Sequence, residues 1–284
     1  MIDESIDVTV LVENTAIRDD LESEHGLSFW IRTKYGNLLW DTGQTGLLIK
    51  NAHKLDIPLH TATHIALSHG HYDHTGGLSE VLKLVPHAIV HGHPGLFAKK
   101  FAAYENTVIP AKPIGSPVEK EYVEKQCKSL LLSAEPVEIL PGICTTGEIP
   151  RKTGFEDAVE DFFLDISCTK HDPIVDDQAL YMESSEGIIV ILGCAHSGVV
   201  NTLDYVSERT NRHKIFAVLG GMHLFGASRA RLEATADAFK RHDVRMIGPC
   251  HCTGSKAIAY FKSQFPDRFA ECSTGSFFTF GREK

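Results

Sequence analysis

The stretch Ser68-His69-Gly70-His71-Tyr72-Asp73-His74 places three histidines and a carboxylate within six residues, directly after the apolar run 64–67. Imidazole and carboxylate are the side chains that bind borderline and hard divalent cations. On a helix His69 and His71 would point to nearly opposite sides, because residues on one helical face are three or four positions apart. A loop after a strand can turn both rings toward one ion, and Gly70 favours such a loop. The stretch therefore predicts a metal site in a loop, and its density of donors indicates two ions.

Four strand candidates end next to residues of this kind. The apolar runs 64–67, 188–192, 214–219 and 244–247 precede, in that order, His69, the pair Cys194 and His196, His223, and His251. In sheets built from strand and helix units, functional groups gather beyond the carboxyl ends of the strands. The pattern therefore predicts layered α/β structure in which these loops meet at one edge. Between Ser228 and His242, apolar residues at helical spacing predict an amphipathic helix that Ser228 caps.

Composition and linker content bound the domain organisation. The chain has 284 residues, of which 43% are hydrophobic and 23% charged, and this is typical of a globular protein with a large core. No Pro-, Ser- or Gly-rich linker divides it, so the sequence predicts a single domain over residues 1–284. Residues 99–154 are rich in Pro, Lys and Glu and contain only short apolar runs. This stretch is predicted to be an inserted cap on the substrate side.

Charge, cysteine content and hydropathy indicate where the protein works. The net charge of −9 disfavours binding to nucleic acid, although a local patch such as Lys99 and Lys100 could contact a phosphate. Seven scattered cysteines, an odd number, favour a reducing compartment over a disulfide framework. The N-terminus is acidic where a secretory signal would be basic, and no apolar run reaches the ~20 residues of a membrane span. We therefore expect a cytoplasmic protein that acts on a small molecule and contacts neither membrane nor nucleic acid; its oligomeric state is left open.

Further motifs carry a resemblance to a known family. They are Glu24-His25-Gly26-Leu27-Ser28, Leu38-Leu39-Trp40-Asp41-Thr42-Gly43, Gly193-Cys194-Ala195-His196-Ser197-Gly198 and Pro249-Cys250-His251-Cys252-Thr253-Gly254. With the opening stretch they resemble the metallo-β-lactamase superfamily. Within it they are similar to a subfamily of archaeal 7,8-dihydropterin-6-methyl-4-(β-D-ribofuranosyl)aminobenzene-5'-phosphate synthases and related metal-dependent hydrolases. The resemblance implies an αββα sandwich, in which two mixed β-sheets are flanked by helices, and an Asp41 that supports the metal loop.

The resemblance also implies two divalent metal ions and most of their ligands. His69 and His71 would bind the first ion, and Asp73, His74 and His251 would bind the second. We take His196, beyond the strand 188–192, to complete the first site. The donor set suits zinc most, with manganese or iron as alternatives. Asp73, which could accept a proton from a metal-bound water, and His223, which follows two glycines, are the candidate catalytic residues.

One departure from the family pattern concerns the bridging ligand. In the common superfamily pattern a strand ends in a Gly-Asp pair whose Asp bridges both metals, whereas this chain has Gly193-Cys194. Either the Cys194 thiolate takes the bridging place, or a water or hydroxide alone links the ions. A buried, inert side chain is the more common fate of a lone cysteine.

Several other residues have a structural interpretation beside a functional one. Glu148 stands where a histidine motif is usual and could be a ligand, an acid or base, or a surface carboxylate paired with Arg151. The motif Asp172-Pro173-Ile174-Val175-Asp176-Asp177-Gln178 favours a structural role in capping and turn formation over anion binding by its neighbours. His91 and His93 are expected to be surface or structural residues. Cys250 and Cys252 lack the paired spacing of a structural zinc site.

Two metal ions ~3.5–4 Å apart would lower the pKa of a bridging water and stabilise developing oxyanion charge, which suits hydrolysis of several ester and amide classes. The synthases imply a different reaction, in which an arylamine acceptor displaces pyrophosphate from a dihydropterin-methyl pyrophosphate. We therefore expect a metal-dependent hydrolase or transferase of a phosphorylated small molecule, with the synthase activity as the alternative. A non-catalytic ligand-binding protein, or a di-iron redox protein, on the same fold is a further alternative. The six candidate ligands argue against the former, and the lack of a flavodoxin-like segment argues against the latter.

Overall fold

The computed structural model describes residues 5–103, 111–156 and 162–281, so residues 104–110 of the predicted cap lie outside the described residues. In this part of the chain the strands are β1 (Ile6–Val12), β2 (Ser28–Thr33), β3 (Gly36–Trp40), β4 (Ala62–Ala66), β5 (Ile89–Gly92), β6 (Phe101–Ala102), β7 (Lys112–Pro113), β8 (Ser129–Leu132), β9 (Val137–Leu140), β10 (Ile143–Thr145), β11 (Phe162–Phe163), β12 (Ala179–Glu183), β13 (Ile188–Leu192), β14 (Ile215–Gly221), β15 (Met246–Cys250) and β16 (Phe277–Phe280).

The α-helices of the described ranges are α1 (Leu47–Lys54), α2 (Tyr72–Thr75), α3 (Leu78–Leu84), α4 (Lys120–Gln126), α5 (Val199–Thr210), α6 (Arg229–Arg241) and α7 (Ser255–Gln264). None of them combines the length and the apolar character that crossing a bilayer would require. The predicted amphipathic helix is α6, and Ser228 caps it as expected, since its Oγ accepts a hydrogen bond from the Arg231 amide at 3.2 Å. Leu232 and Phe239 of this helix are buried, which confirms the predicted apolar face.

Two mixed sheets form the centre of the molecule. The larger has the order β16-β1-β2-β3-β4-β5-β8, and its run from β3 to β8 is parallel. The smaller has the order β15-β14-β13-β12-β10-β9, and β13, β14 and β15 are parallel. Helices cover the outer face of each sheet. The predicted αββα sandwich is confirmed.

Alternation along the strands produces the four layers. Trp40 of β3 and Ile191 of β13 are fully buried in one cluster between the two sheets. Leu39 faces the opposite way and packs in a cluster with residues of α1, α3 and α4, while Val190 packs with residues of α5, α6 and α7. Successive residues of a strand point to opposite faces of its sheet, so each sheet packs on both sides. Burying each such large apolar side chain contributes about 1.5–3 kcal/mol to folding.

The strands that precede the candidate ligands all form, with shifted ends. The largest shift is at β15, which runs over Met246–Cys250 where the sequence predicted 244–247. The sequence Gly248-Pro249 suggests that a strand has ended, but β15 is the last strand of its sheet. Proline is tolerated on an edge strand, because no neighbouring strand needs its missing N–H. The loop that carries His251 therefore starts directly at the strand end.

The cap is smaller than the sequence predicted. Within residues 99–154, β8 pairs with β5 in the larger sheet, and β9 and β10 extend the smaller sheet. β8 and β9 lie at sheet edges and have four residues each, and such short edge strands are easily taken for loop because one side of them is not paired. In the described part of this stretch, only β6 and β7 belong to a separate three-stranded sheet, with β11. The residue after β7 contacts the segment of the opening stretch, since the Tyr72 amide donates to the Ile114 carbonyl at 2.9 Å.

Candidate metal centre

Asp41 follows β3 and holds the loop that carries the opening stretch. Its Oδ1 accepts a hydrogen bond from the Ser68 amide at 2.7 Å, and its Oδ2 accepts one from Ser68 Oγ at 2.7 Å. The same Oδ2 lies 2.7 Å from Nδ1 of His74. A carboxylate that holds one ring nitrogen of a histidine orients the other nitrogen toward a metal. Nε2 of His74 accordingly faces Cys194, whose Sγ is 3.2 Å away.

The three ligands expected for the first ion lie together. Nε2 of His69 is 3.0 Å from Nδ1 of His71 and 3.3 Å from Nε2 of His196. All three side chains are buried. Two nitrogen ligands at about 2.0–2.1 Å from one tetrahedral ion are about 3.3–3.4 Å apart. The spacing of His69 and His196 therefore fits ligation of a single ion, and His71 lies within a few tenths of an ångström of the same spacing from His69.

The three ligands expected for the second ion also lie together. Oδ2 of Asp73 is 3.7 Å from Nε2 of His74 and 3.2 Å from Nε2 of His251. Nδ1 of His251 lies 2.9 Å from Oδ1 of Asn14, so this ring too is held at the nitrogen that faces away from the carboxylate. Nitrogen and carboxylate donors at these distances suit a divalent cation.

His25 is a site residue that the sequence did not single out. Its Nε2 lies 3.2 Å from Oδ2 of Asp73, and it forms with Asp73 and His251 a further group of possible ligands. A Cβ atom on Gly26 would lie 2.8 Å from the Asp73 carbonyl, so the backbone beside His25 approaches the metal loop closely. A lone, half-exposed histidine has no local pattern that marks it as a site residue. The sequence feature that could have identified His25 is therefore the family motif around Gly26.

Cys194 lies between the two ligand groups. The ligand atoms of His69, Cys194 and His196 are all within 4.8 Å of one another, and so are those of His74, Cys194 and His251. The side chain is buried, with the residue only 3% exposed. The position is the first residue after Gly193, which packs so tightly on Ser68 that a Cβ atom there would collide with the serine side chain.

His223 and Cys252 stand on the cleft side of this cluster. The His223 amide donates a hydrogen bond to Cys252 Sγ at 3.3 Å, and the His223 ring centroid is 4.4 Å from that of His196. His223 has a positive φ of 45°, which a backbone turning sharply out of β14 adopts. With Cys194 the two residues make another group of possible ligands. Cys252 was missed from the sequence, because the spacing of its neighbours does not match a known ligand pattern.

Charge within the cluster is unevenly distributed. Burial, and then the neighbouring histidines, lower the pKa values of His69 and His71 well below 6.5. Burial also opposes a charge on His74, but Asp41 and then Asp73 outweigh it and raise the pKa of His74 to about 9. Burial opposes the charge of Asp73, yet His74 and hydrogen bonds from His25 and His251 hold its pKa well below 3.8. His69 and His71 are therefore neutral donors near pH 7, and metal binding at His74 requires loss of its proton.

The motif at residues 172–178 supports both ligand loops. Oδ2 of Asp176 accepts a hydrogen bond from the Gly70 amide at 2.8 Å, between the first two histidines of the opening stretch. Oδ2 of Asp177 accepts one from the Ser197 amide at 2.8 Å, next to His196. The favoured structural role is therefore found, but it serves the position of the ligands as well as the turn.

Lys100 neutralises two of the carboxylates of this motif. Its Nζ lies 2.8 Å from Oδ2 of Asp172 and 2.7 Å from Oδ1 of Asp176, and all three side chains are at most 3% exposed. Burial alone would lower the pKa of Lys100, but Asp176 and Asp172 outweigh it and raise that pKa, so the amine stays charged. A buried charge is tolerated only when it is paired in this way.

The structure does not bring Glu148 to the ligand cluster. Its Oε1 lies 3.1 Å from Nε2 of His93, its side chain is 53% exposed, and it belongs to none of the candidate ligand groups found among the described residues. Arg151 does not pair with it, and instead donates to the Pro173 carbonyl at 2.6 Å. His93 and His91 are both buried, so of the two roles expected for them the structural one applies.

A cleft of about 670 Å³ opens over the cluster. Its floor contains the candidate ligands His71, Asp73, Cys194, His196 and His251, with His25, His223 and Cys252 beside them. Its walls include the aromatic rings of Tyr72, Phe162 and Phe225, the last of which is 86% exposed. Ala102 and Ile114, from the small sheet and its connection, close one side. The cleft thus combines a polar, ligand-rich floor with aromatic walls.

An αββα sandwich with a histidine-rich centre at its strand ends defines the metallo-β-lactamase fold class, whose members bind metal ions. A family model of the metallo-beta-lactamase superfamily matches residues 23–147. The 7,8-dihydropterin-6-methyl-4-(beta-D-ribofuranosyl)-aminobenzene-5'-phosphate synthase of Methanocaldococcus jannaschii is 32% identical over 268 residues, which are 91% of this chain and 90% of the relative. The chain belongs to the metallo-β-lactamase superfamily.

A further relative and a solved structure also match nearly the whole chain. An uncharacterized protein of Methanocaldococcus jannaschii is 33% identical over 259 residues, covering 88% of this chain and 92% of its own length. A solved structure, described as a metal-dependent hydrolase of the beta-lactamase superfamily, superposes with a TM-score of 0.82 at 28% identity. That match covers 96% of this chain and 98% of the other. The resemblance to this superfamily and subfamily is confirmed along nearly the whole chain.

Proposed function

We propose that this protein is an enzyme that uses two divalent metal ions, zinc in the first instance, to hydrolyse or transfer a group of a phosphorylated small molecule. The observation that carries the proposal is that the six candidate ligands lie close together in two sets of three, and that His71, Asp73, His196 and His251 of these sets line one cleft. His69, His71 and His196 would hold the first ion, and Asp73, His74 and His251 would hold the second. When bound, the ions would supply a water of lowered pKa and stabilise charge that develops on phosphate oxygens.

The chain's own residues have distinct parts in this proposal. Asp73 is the proposed proton acceptor, because its carboxylate lines the cleft and stays ionised in this environment. His223 is the proposed substrate contact, because it lines the cleft beside His196 without belonging to either ligand group of the two ions. Tyr72, Phe162 and Phe225 would pack against a planar organic part of the substrate, since aromatic rings stack favourably on one another.

A second candidate is the synthase reaction, in which an arylamine acceptor displaces pyrophosphate from a dihydropterin-methyl pyrophosphate. The observation that favours it is the 32% identity to the Methanocaldococcus jannaschii synthase across 91% of this chain. The same cleft would then hold the pterin against its aromatic wall and the leaving phosphates over the ligand cluster. The two candidates differ in whether an amine or a water attacks.

A substrate panel on the metal-loaded protein tests both candidates. Phosphodiester, lactone and dihydropterin-methyl pyrophosphate substrates would be assayed, the last with and without the arylamine acceptor. Metal content would be measured by elemental analysis in the same samples. Product that forms without acceptor indicates hydrolysis, and product that needs the acceptor indicates the synthase.

His71→Ala is the critical variant, because it removes one ligand of the first ion. We expect turnover to fall at least about 100-fold, since a metal ion contributes several kcal/mol to stabilising developing charge. His87→Ala, at an exposed histidine, is the matched control and should keep wild-type turnover. Full turnover by His71→Ala would contradict metal catalysis. A wild type that binds metal and turns over no substrate of the panel would favour a ligand-binding or redox protein on the same fold.

A further inference from the structure

We propose that the Cys194 thiolate is a ligand shared by both metal ions, in the place where the common superfamily pattern has a bridging carboxylate. The inference rests on the metal binding proposed above. It adds a sulfur donor to a centre that would otherwise offer only nitrogen and oxygen.

Cys194 is common to the ligand groups of both ions. It belongs to one group with His69 and His196 and to another with His74 and His251, and in each the ligand atoms lie within 4.8 Å of one another. Its Sγ is 3.2 Å from Nε2 of His74. A nitrogen at about 2.0–2.1 Å and a sulfur at about 2.3 Å from one tetrahedral ion are about 3.5 Å apart. The sulfur therefore needs to move only a few tenths of an ångström to ligate the ion at His74.

The backbone keeps the sulfur in this position. β13 ends at Leu192, and Gly193 then packs against Ser68 so closely that only glycine fits. Ser68 is in turn hydrogen-bonded to Asp41, which also holds His74. The carboxyl end of β13 is thus pressed onto the metal loop.

Cys252 is the competing sulfur, and its surroundings differ. It forms a group with Cys194 and His223, but it belongs to neither of the groups that contain His69 or His74. Its Sγ donates a hydrogen bond to the Cys194 carbonyl at 3.5 Å, from the side of the cleft. Cys194 therefore lies between the two proposed ions, whereas Cys252 stands beside them.

A thiolate ligand changes which metals the centre prefers. Sulfur favours softer ions such as zinc, iron(II) or cobalt(II), whereas oxygen donors suit manganese. We expect Cys194→Asp, which restores the usual carboxylate, to shift the preference toward manganese.

Cobalt substitution tests the proposal without relying on activity. Metal-free protein would be loaded with cobalt(II), its stoichiometry measured, and its near-ultraviolet spectrum searched for the thiolate-to-cobalt charge-transfer band. X-ray absorption of the zinc form should show sulfur at about 2.3 Å. The band should disappear in Cys194→Ser and remain in Cys252→Ser. Cys127→Ser, at a cysteine outside the candidate ligand groups, is the matched control and should keep it.

The other outcomes of the cobalt experiment contradict either the bridging role of Cys194 or the proposed function. A band that survives in Cys194→Ser, or that is lost in Cys252→Ser instead, overturns the bridging role of Cys194. Cobalt bound by the wild type without a band, or zinc with no sulfur neighbour, does the same. A wild type that binds no cobalt overturns the proposed function as well. If Cys194→Ser does not fold, Cys194→Asp replaces it and should bind cobalt without the band; a band in Cys194→Asp also overturns the proposal.

Discussion

Three of the candidate ligands are oriented through the ring nitrogen that faces away from the cluster. The Nδ1 atoms of His69, His74 and His251 lie 2.9, 2.7 and 2.9 Å from Ser68 Oγ, Asp41 Oδ2 and Asn14 Oδ1 respectively. Such contacts fix the ring and its tautomer, so that Nε2 is presented to the metal without rearrangement. Asp41 has the largest share, because it holds His74 directly and His69 through Ser68.

Asp41→Asn tests this orientation at a single residue. The amide keeps the shape but removes the charge that holds His74, so we expect the affinity for zinc to fall about 10–100-fold. Competition with a chromophoric chelator measures the affinity. Asp204→Asn is the matched control, because Asp204 holds His242 at 2.6 Å in a separate carboxylate–histidine pair. Equal affinity in Asp41→Asn and the wild type would contradict the orienting role.

The candidate ligands divide into those that sequence could predict and those it could not. His69 to His74 form a dense local pattern, and a resemblance to a family extends it to His251. His25 and Cys252 lie within motifs that carry the resemblance, but no local pattern assigns them a role as ligands, because each reaches the cluster only through the folding of a distant loop onto it. Single residues that tertiary structure brings together leave little local signal.

At the scale of elements, the segment at residues 172–178 links the two ligand loops to each other. It runs between β11 and β12, and its carboxylates hold Gly70 on one side and Ser197 on the other. Lys100, just before β6, balances two of its charges. The small sheet, the segment at residues 172–178 and the ligand loops are thus coupled through the buried charges of Lys100, Asp172 and Asp176.

Lys100→Met should therefore destabilise the protein strongly. It leaves Asp172 and Asp176 buried without a counter-charge, and breaking a buried pair from one side costs about 3–5 kcal/mol. Urea unfolding measures the free energy of unfolding. Lys112→Met, at an exposed lysine of β7, is the control and should change that energy by less than about 0.5 kcal/mol. Similar stabilities for the two variants would mean that these buried charges do not stabilise the fold.

Element ends were the part of the fold that sequence predicted least well. β15 extends through Pro249 because it is an edge strand, and β8 and β9 escaped prediction for the same reason. The fold class itself could be predicted, because the apolar runs before the candidate ligands indicate layered α/β structure and the family motifs imply the αββα sandwich. The structure shows why these runs are uninterrupted, since Val190 and Ile191 are buried on opposite faces of one sheet. Which strand lies at an edge depends on the topology of the whole sheet, and no local pattern contains that information.

For the whole molecule, the centre connects the two sheets. Each proposed ion takes ligands from the segment after β4, in the larger sheet, which comprises a loop with His69 and His71 and the short helix α2 with Asp73 and His74. Its remaining ligand comes from the segment after β13 or β15, in the smaller sheet. An ion that binds only the folded chain stabilises it, by about 4 kcal/mol when its concentration is 1,000 times the dissociation constant. Removal of zinc with a chelator should therefore lower the free energy of unfolding, measured in urea, and restoring zinc should recover it. His71→Ala keeps the ligands of the second ion, so the chelator should lower its free energy of unfolding by less than that of the wild type. A wild type whose free energy of unfolding the chelator leaves unchanged would contradict metal binding across the sheets.

Acid should weaken the metal-free protein through His91, which is buried in β5. Burial, and then the nearby His64, lower the pKa of His91 from 6.5 to about 4 in the folded chain. The unfolded chain therefore binds a proton that the folded chain refuses, so the contribution of His91 to stability is complete above pH 6.5 and is lost as the pH falls toward about 4. Between about pH 7 and pH 5, we expect this residue to account for roughly 1–2 kcal/mol of the loss in unfolding free energy.

His91→Leu cannot take up the proton, so its free energy of unfolding should fall by that much less over the same interval. The exposed His87→Leu control should follow the wild type. Parallel losses in His91→Leu and the wild type, with zinc absent from both, would place the acid sensitivity in other groups.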